Sequence, residues 1–211
     1  MAEGFDRSDW ERRWVQVLRE HPDTVAARPP NADLVALVGD LHGDLPPGYA
    51  LDAGCGHGAE AIWMAAAGWD VTALDFSPSA LEHGRATAAA LGDDVGGRIS
   101  WVEGDLGTWT PPAATYDLVS CLYVHVAGSV VDLVRRLASG VAPGGTLFML
   151  GHQPVDPATG RPSPAAGQVQ VTVEGALEAL DAEEWDVVAE ERPRAIAGTG
   201  VDAVVRAVRR A

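Results

Sequence analysis

The stretch Leu51-Asp52-Ala53-Gly54-Cys55-Gly56-His57-Gly58, followed by the apolar run from Ala59 to Ala67, reads as a short buried strand, a glycine-rich turn and a helix. A strand that runs straight into such a turn and then a helix brings backbone N–H groups and the positive helix end to one point. An anionic or polar ligand group is expected there. Gly54, Gly56 and Gly58 leave out the side chains that would keep a ligand from the backbone. A bare glycine turn also serves as a plain tight connection, and Gly54-x-Gly56-x-x-Ala59 fits the dinucleotide fingerprint with alanine in the third place. The ligand therefore has to be read from the surroundings of the turn.

Outward from this unit, short apolar runs alternate with longer helical ones, the pattern of crossover connections in a parallel sheet. Strands are expected at Tyr49 to Ala53, Asp70 to Asp75, Ile99 to Glu103, Asp117 to Tyr123 and Thr146 to Gly151, with helices at Ala59 to Ala67, Pro78 to Leu91 and Val130 to Ser139. Ser77-Pro78 is a cap followed by proline at the first helical position, and Ser129 with Asp132 marks the start of the third helix. Upstream, Ser8 and Glu11 form a capping-box pattern ahead of a helix to Glu20 that carries Trp10, Trp14, Val17 and Leu18 on one face. His21 to Pro30, with its prolines, reads as a loop, after which Asn31 caps a helix with Leu34, Leu37, Val38 and Leu41 in its stripe. Downstream, Gln153 to Gly167 is a Pro-, Gly- and Ala-rich loop, either a lid or a disordered connector. A short helix at Glu174 to Leu180 and strands at Trp185 to Glu190 and Asp202 to Val208 follow. The fold class is α/β, with residues 1–48 a helical cap within the same domain as a core over 49–211.

Bulk properties narrow the partners. A 211-residue chain with 47% hydrophobic residues can bury a substantial core. Its net charge of −15 works against nucleic acid, whose affinity comes mainly from Lys and Arg on phosphates, and against anionic membranes. No apolar run approaches the roughly 20 residues that span a bilayer, and the first residues lack a signal layout, so a cytoplasmic protein is expected. The two cysteines, Cys55 and Cys121, read as small apolar residues near the site and not as a disulfide. No histidine or cysteine spacing suggests a metal.

Three carboxylates separate the ligand candidates. Asp75 ends the second strand roughly 20 residues after Gly54, where a carboxylate accepts from ribose hydroxyls, in nicotinamide dinucleotides and in S-adenosylmethionine alike. Asp52, two residues before Gly54, would repel a pyrophosphate and attract an ammonium. Asp105, in Glu103-Gly104-Asp105-Leu106, can accept from an adenine amino group while the Leu106 N–H donates to the ring.

With these residues in place, the sequence resembles the class I S-adenosylmethionine-dependent methyltransferases over about Tyr49 to Gly151. The matching blocks are Leu51 to Gly58, Val71-Thr72-Ala73-Leu74-Asp75-Phe76-Ser77, Gly104-Asp105-Leu106, Tyr116-Asp117-Leu118-Val119-Ser120 and Ala142-Pro143-Gly144-Gly145-Thr146-Leu147. The resemblance implies a Rossmann-like seven-stranded, mostly parallel sheet with an antiparallel last strand and helices on both faces. It implies S-adenosylmethionine held by Asp52, Gly54, Cys55, Gly56 and Gly58 at the methionine end, Asp75, Phe76 and Ser77 at the ribose, and Gly104, Asp105 and Leu106 at the adenine, with Cys121 and Trp14 nearby. Length and the N-terminal helix with Trp10 and Trp14 look like the small bacterial thiopurine and tellurite-resistance types. Ser120-Cys121-Leu122-Tyr123-Val124-His125 lacks the Asn/Asp-Pro-Pro-aromatic block of amino-nucleobase methyltransferases, so a small-molecule acceptor is expected.

Methyl transfer from a sulfonium is an in-line displacement, so alignment of the acceptor and, where needed, its deprotonation are the main tasks. The resemblance puts Tyr123, His125 and His152 near the acceptor, and a histidine with an ordinary pKa near 6.5 can act as base at neutral pH. His57 reads as a loop residue beside the cofactor. The competing reading is a nicotinamide-dependent oxidoreductase. The acceptor atom (N, O or S) and the oligomeric state are not readable from the sequence.

Overall fold

The computed structural model describes residues 7–42, 47–153, 155, 160, 169–193 and 200–211. These fall into two compact units, 7–106 and 107–211. Most of the loop expected at Gln153 to Gly167, including Arg161, lies outside the described residues.

The first unit holds α1 (Arg7–Glu20), α2 (Pro22–Ala26), α3 (Ala32–His42), β1 (Tyr49–Ala53), α4 (Ala59–Ala66), β2 (Asp70–Asp75), α5 (Pro78–Ala90), α6 (Asp93–Gly96) and β3 (Ile99–Glu103). β1 runs parallel to β2, and β2 to β3. Leu34, Leu51, Met64 and Leu74 are fully buried, each such burial stabilising by about 1.5–3 kcal/mol. Asn31 caps α3, its Oδ1 accepting from the N–H groups of Asp33 and Leu34. Ser77 caps α5 through the Ala80 N–H, ahead of Pro78. Two readings are corrected here. The segment His21 to Pro30 is not all loop: Pro22 opens α2, because its fixed φ and missing N–H suit a first helical position, and five residues are too few to show a periodicity. The capping box fails as well. Ser8 is already the second residue of α1, and both oxygens of Glu11 accept from Ser77 and Ser79.

The second unit holds β4 (Tyr116–Leu122), α7 (Val130–Ser139), β5 (Val141–His152), α8 (Val173–Ala179), β6 (Trp185–Pro193) and β7 (Val201–Arg209). α7 starts as expected, with Ser129 Oγ accepting from the Asp132 N–H, and it buries Leu133, Val134 and Leu137. β5 begins five residues before the expected Thr146. Tyr116 pairs with Val141 and Leu118 with Thr146, so Ala142 to Gly145 bulge out of the ladder. Pro143 has no N–H to give a ladder and Gly144 has a φ of +79°, which accounts for the break in the pairing.

Across the seven-stranded sheet the order is β3-β2-β1-β4-β5-β7-β6. β4 is parallel to β5, while β7 lies antiparallel to both β5 and β6. This is the expected α/β, Rossmann-like architecture with an antiparallel final strand. Among the described residues no helix is long and apolar enough to cross a membrane.

Candidate functional site

In the first unit the turn between β1 and α4 folds back on the end of β2. The Gly54 and Cys55 N–H groups both donate to the Leu74 carbonyl, at 2.7 and 2.9 Å, and the Gly58 N–H donates to the Cys55 carbonyl at 2.8 Å. The Gly56 N–H donates to Asp75 Oδ2 at 2.8 Å, while Asp75 Oδ1 accepts from the Ser77 N–H at 2.9 Å. This corrects the expectation of a cluster of N–H donors aimed at an anionic or polar ligand group, since residues 54, 55, 56 and 58 direct theirs into the fold. Gly56 and Gly58 have φ of +53° and +80°, and a Cβ on Gly56 would stand 2.8 Å from the Trp14 ring. Both positions therefore need glycine.

The electrostatics of the turn are anionic. Asp52 and Asp75 are only 3% and 7% exposed. Burial, opposed by the three backbone N–H groups of Ser77, Gly56 and Phe76, raises Asp75 above the ordinary carboxylate value. Burial first, then the charges of Asp52, Asp75 and Glu60, push the Cys55 thiol well above its usual value, which makes Cys55 an uncharged filler. A group with positive charge is favoured in this field and a phosphate is disfavoured.

α1 supplies a wall that the sequence showed only in part. Trp14 lies against Gly56, with its ring 5.6 Å from that of His57. Glu11 accepts from the Ser77 and Ser79 hydroxyls at 2.5 Å each. Arg7 donates to the Phe76 carbonyl, and its guanidinium carbon sits 5.5 Å from the Phe76 ring centroid and a nitrogen 3.8 Å from Asp105. Gly104 donates to the Asp75 carbonyl at 3.0 Å, and Leu106 is buried. The structure thus gathers Trp14, the glycine turn, Asp75, Phe76, Ser77, Gly104 and Asp105, and adds Arg7, Glu11 and Ser79. Arg7, Glu11 and Trp14, spaced four and three apart, share one helical face, and that spacing was the available signal.

Because α1 has no fully buried residue, these polar contacts hold it in place. Changing Glu11 to Ala removes two charge-assisted hydrogen bonds, each worth about 1.5–3 kcal/mol. We expect amide hydrogen exchange over residues 7–20 to rise at least tenfold in Glu11→Ala, with protection of β1 and β2 retained. Equal exchange in the two proteins would mean that Trp14 alone anchors the helix.

His57 is 7% exposed, and its pKa is lowered from 6.5 to about 4 by burial first, then by Arg28 and His83. The folded value lies below the unfolded one, so the unfolded chain binds more protons between about pH 4 and 6.5 and stability rises with pH across that window. His57 withdraws about 3 kcal/mol of stability as the pH falls through it. In urea titrations at pH 7 and pH 4, His57→Gln should lose less stability than the parent by about that amount.

The second unit holds the residues expected at the acceptor. Cys121 is buried in β4, as Cys55 is in its turn, and the two form no disulfide. The Tyr123 and His152 rings stack with centroids 4.2 Å apart. Tyr123 Oη donates to Asp202 Oδ2 at 3.1 Å, and His152 Nδ1 lies 2.8 Å from Asp202 Oδ1. The His152 N–H donates to Gln170 Oε1 at 2.7 Å, and Gln170 Nε2 is 3.2 Å from His125 Nε2. All three predicted residues therefore belong to one network. Asp202 and Gln170 were missed, since an antiparallel register that sets Asp202 opposite His152 is not written in either strand.

Comparison with known proteins bears on this geometry. Residues 50–145 match a family model described as a methyltransferase domain. Over 122 residues the chain is 38% identical to the trans-aconitate 2-methyltransferase of Streptomyces avermitilis, covering 56% of this chain and 43% of that protein. Over 107 residues it is 36% identical to a ubiquinone biosynthesis O-methyltransferase of Xanthomonas campestris pv. campestris, covering 50% and 43%. The chain thus spans less than half the length of these curated relatives. In fold it is similar to an S-adenosylmethionine-dependent methyltransferase from Mesorhizobium loti, with a TM-score of 0.63 at 22% identity, over 85% of this chain and 99% of that one. The matched region runs from β1 through the glycine turn into β5. Residues 50–145 are thus similar to a methyltransferase domain, and the fold is similar to that of an S-adenosylmethionine-dependent methyltransferase.

Proposed function

We propose that this chain transfers the methyl group of S-adenosylmethionine to a nucleophilic heteroatom (N, O or S) of a diffusible small molecule in the cytoplasm. The observation that carries this reading is the ring of carboxylates at the glycine turn. Asp52 and Asp75 are buried at the turn, and after burial itself their charges and that of Glu60 help to push the Cys55 thiol up. That field suits a sulfonium with an α-ammonium group and opposes the pyrophosphate of a nicotinamide dinucleotide. The cofactor, when bound, supplies an electrophilic methyl group.

In this reading Asp52 and the turn meet the methionine end, Asp75, Phe76 and Ser77 the ribose, and Gly104, Asp105 and Leu106 the adenine. Asp75 keeps acceptor capacity for a ribose hydroxyl beyond the backbone N–H groups of Gly56, Ser77 and Phe76. Trp14 offers an aromatic face to the cofactor's cation, in keeping with a small acceptor enzyme of the thiopurine and tellurite-resistance kind. Changing Trp14 to Ala is expected to weaken S-adenosylhomocysteine binding about threefold and S-adenosylmethionine binding about tenfold, because only the latter carries the sulfonium. Equal losses would reduce Trp14 to packing. On the acceptor side, Tyr123, His125 and His152 are the candidate catalytic residues. The relatives' names, which mention trans-aconitate and ubiquinone biosynthesis, support small-molecule acceptors, and the net charge of −15 opposes nucleic acid.

Calorimetry of the purified chain tests the cofactor. We expect S-adenosylhomocysteine to bind with micromolar affinity and NADH to give no heat. Binding of NADH without binding of S-adenosylhomocysteine would overturn the proposal.

A further inference from the structure

We infer that Glu11 is a positioning residue for the ribose carboxylate: from α1 it acts through Ser77 to hold Asp75 in the orientation that receives a ribose hydroxyl. The inference rests on the cofactor reading proposed above and adds a residue of the first helix to it.

Both oxygens of Asp75 are held by backbone donors, and each donor is met in turn by α1. Asp75 Oδ1 accepts from the Ser77 N–H at 2.9 Å and Oδ2 from the Gly56 N–H at 2.8 Å. Ser77 has no exposed surface, and its hydroxyl accepts from the Ala80 N–H at 3.1 Å while donating to Glu11 Oε2 at 2.5 Å. The other Glu11 oxygen accepts from the Ser79 hydroxyl at 2.5 Å, so one carboxylate grips the start of α5 at two points. Hydrogen bonds to a charged acceptor are short and about twice as strong as neutral ones. A hydroxyl has one proton to give. With Glu11 receiving it, the Ser77 side chain is turned to α1 and only its N–H faces Asp75. On the side of the other oxygen, Gly56 lies against the Trp14 ring, which leaves no room for a side chain there. Glu11 and Trp14 stand three residues apart on one face of α1, and together they bear on the two donors of one carboxylate. A carboxylate fixed at both oxygens meets a ribose hydroxyl already oriented, whereas a loose one has to be ordered at a cost in affinity.

The two carboxylates also act on each other through charge. Burial is the main cause that lifts Asp75 above the ordinary carboxylate value, and the charge of Glu11 adds to it. The other charged or titratable groups near Asp75 are Glu103, its register partner on β3, Asp105 and Arg7 at the adjoining loops, and Cys55 with Asp52 at the turn. None of these differs between the parent and a Glu11 variant. A ribose hydroxyl donates to the ionised carboxylate, so affinity for the cofactor falls as the pH drops through the Asp75 value. Removing the negative charge of Glu11 eases the ionisation of Asp75 and moves that fall to lower pH.

The test measures the S-adenosylhomocysteine affinity of the full chain against pH, by calorimetry or, for weak variants, by ligand-observed NMR. Alongside it, the Asp75 carboxyl is titrated by 13C NMR without ligand. At neutral pH Glu11→Ala should weaken binding about 20-fold, and in the Asp75→Asn background by no more than about threefold, the share carried by Trp14. Glu11→Gln keeps an acceptor for one serine and a donor for the other. It should weaken binding only about threefold and shift both the acid fall in affinity and the Asp75 titration to lower pH. An equal loss from Glu11→Ala in the parent and in the Asp75→Asn background would mean that Glu11 only fastens α1, and overturns the inference. An Asp75 titration that Glu11→Gln leaves in place overturns it as well. Absence of S-adenosylhomocysteine binding in the parent, with the Asp75 titration still moved by Glu11→Gln, would instead place the failure in the cofactor reading and leave the relay from Glu11 through Ser77 to Asp75 standing.

Discussion

Replacing Asp75 by Asn is expected to weaken S-adenosylhomocysteine binding about 100-fold while changing stability by no more than about 2 kcal/mol. The parent carboxylate accepts from the Gly56 N–H on one oxygen and the Ser77 N–H on the other, with Phe76 as a third backbone donor, and it retains acceptor capacity for a ribose hydroxyl. Asn offers one oxygen and one NH2, so a donor comes to face either the Gly56 or the Ser77 N–H, and the ribose hydrogen bond is lost together with the charge that strengthens it. One charge-assisted bond at about 1.5–3 kcal/mol covers a loss of about 100-fold.

Stability moves much less because two effects oppose. The orphaned N–H costs about 1–3 kcal/mol. Against this, burial raises the Asp75 pKa above its unfolded value of 3.8, so its favourable contribution is complete below that pH and is lost as the pH rises through the folded value. At neutral pH the ionised carboxylate is a burden that Asn removes. Calorimetry and thermal unfolding of the same preparation separate the two effects. Binding equal to that of the parent protein would end the ribose role of Asp75.

Gly84→Ala is expected to lower stability by about 1–3 kcal/mol, against the ordinary preference for Ala in a helix. Gly84 is buried in α5, and a Cβ there would stand 2.6 Å from the His57 carbonyl oxygen and 2.6 Å from Trp101 Cη2. The indole can shift, but the carbonyl belongs to the glycine turn, whose backbone is held through residues 54, 55, 56 and 58. Overpacking against such a partner outweighs the roughly 1 kcal/mol that Ala gains in helix propensity. Gly39 is the internal control, since it lies in α3 where an added Cβ would meet nothing within 4 Å. Thermal unfolding should therefore show a lower Tm for Gly84→Ala and a higher one for Gly39→Ala, each by a few degrees. A raised Tm in Gly84→Ala would show that α5 is not clamped against the turn.

Both results depend on contacts that differ in how far they were legible. Gly54, Gly56, Gly58, Asp75 and Ser77 follow one another over short distances, and the strand–turn–helix periodicity places them without help. The direction of the N–H groups did not follow, because the Leu74 carbonyl and Asp75 that receive them lie on a neighbouring strand. α2 escaped notice because a five-residue helix has no period to read. Glu11 looked like half of a capping box because sequence spacing treats α1 in isolation, whereas its carboxylate reaches Ser77 and Ser79 across the packed face.

By itself the sequence determined the order of the strands and of the longer helices, the helix caps at Asn31, Ser77 and Ser129, and the series of acids Asp52, Asp75 and Asp105 at the ends of successive strands. All of these arise from interactions over a few residues, where residue type and spacing act directly. Tertiary structure alone decided that Asp75 fills the glycine turn, that α1 is fastened through Arg7 and Glu11, and that Asp202 holds His152 and Tyr123. Those pairings join residues far apart in the chain, and they exist only once strand register and helix packing have set which side chains meet.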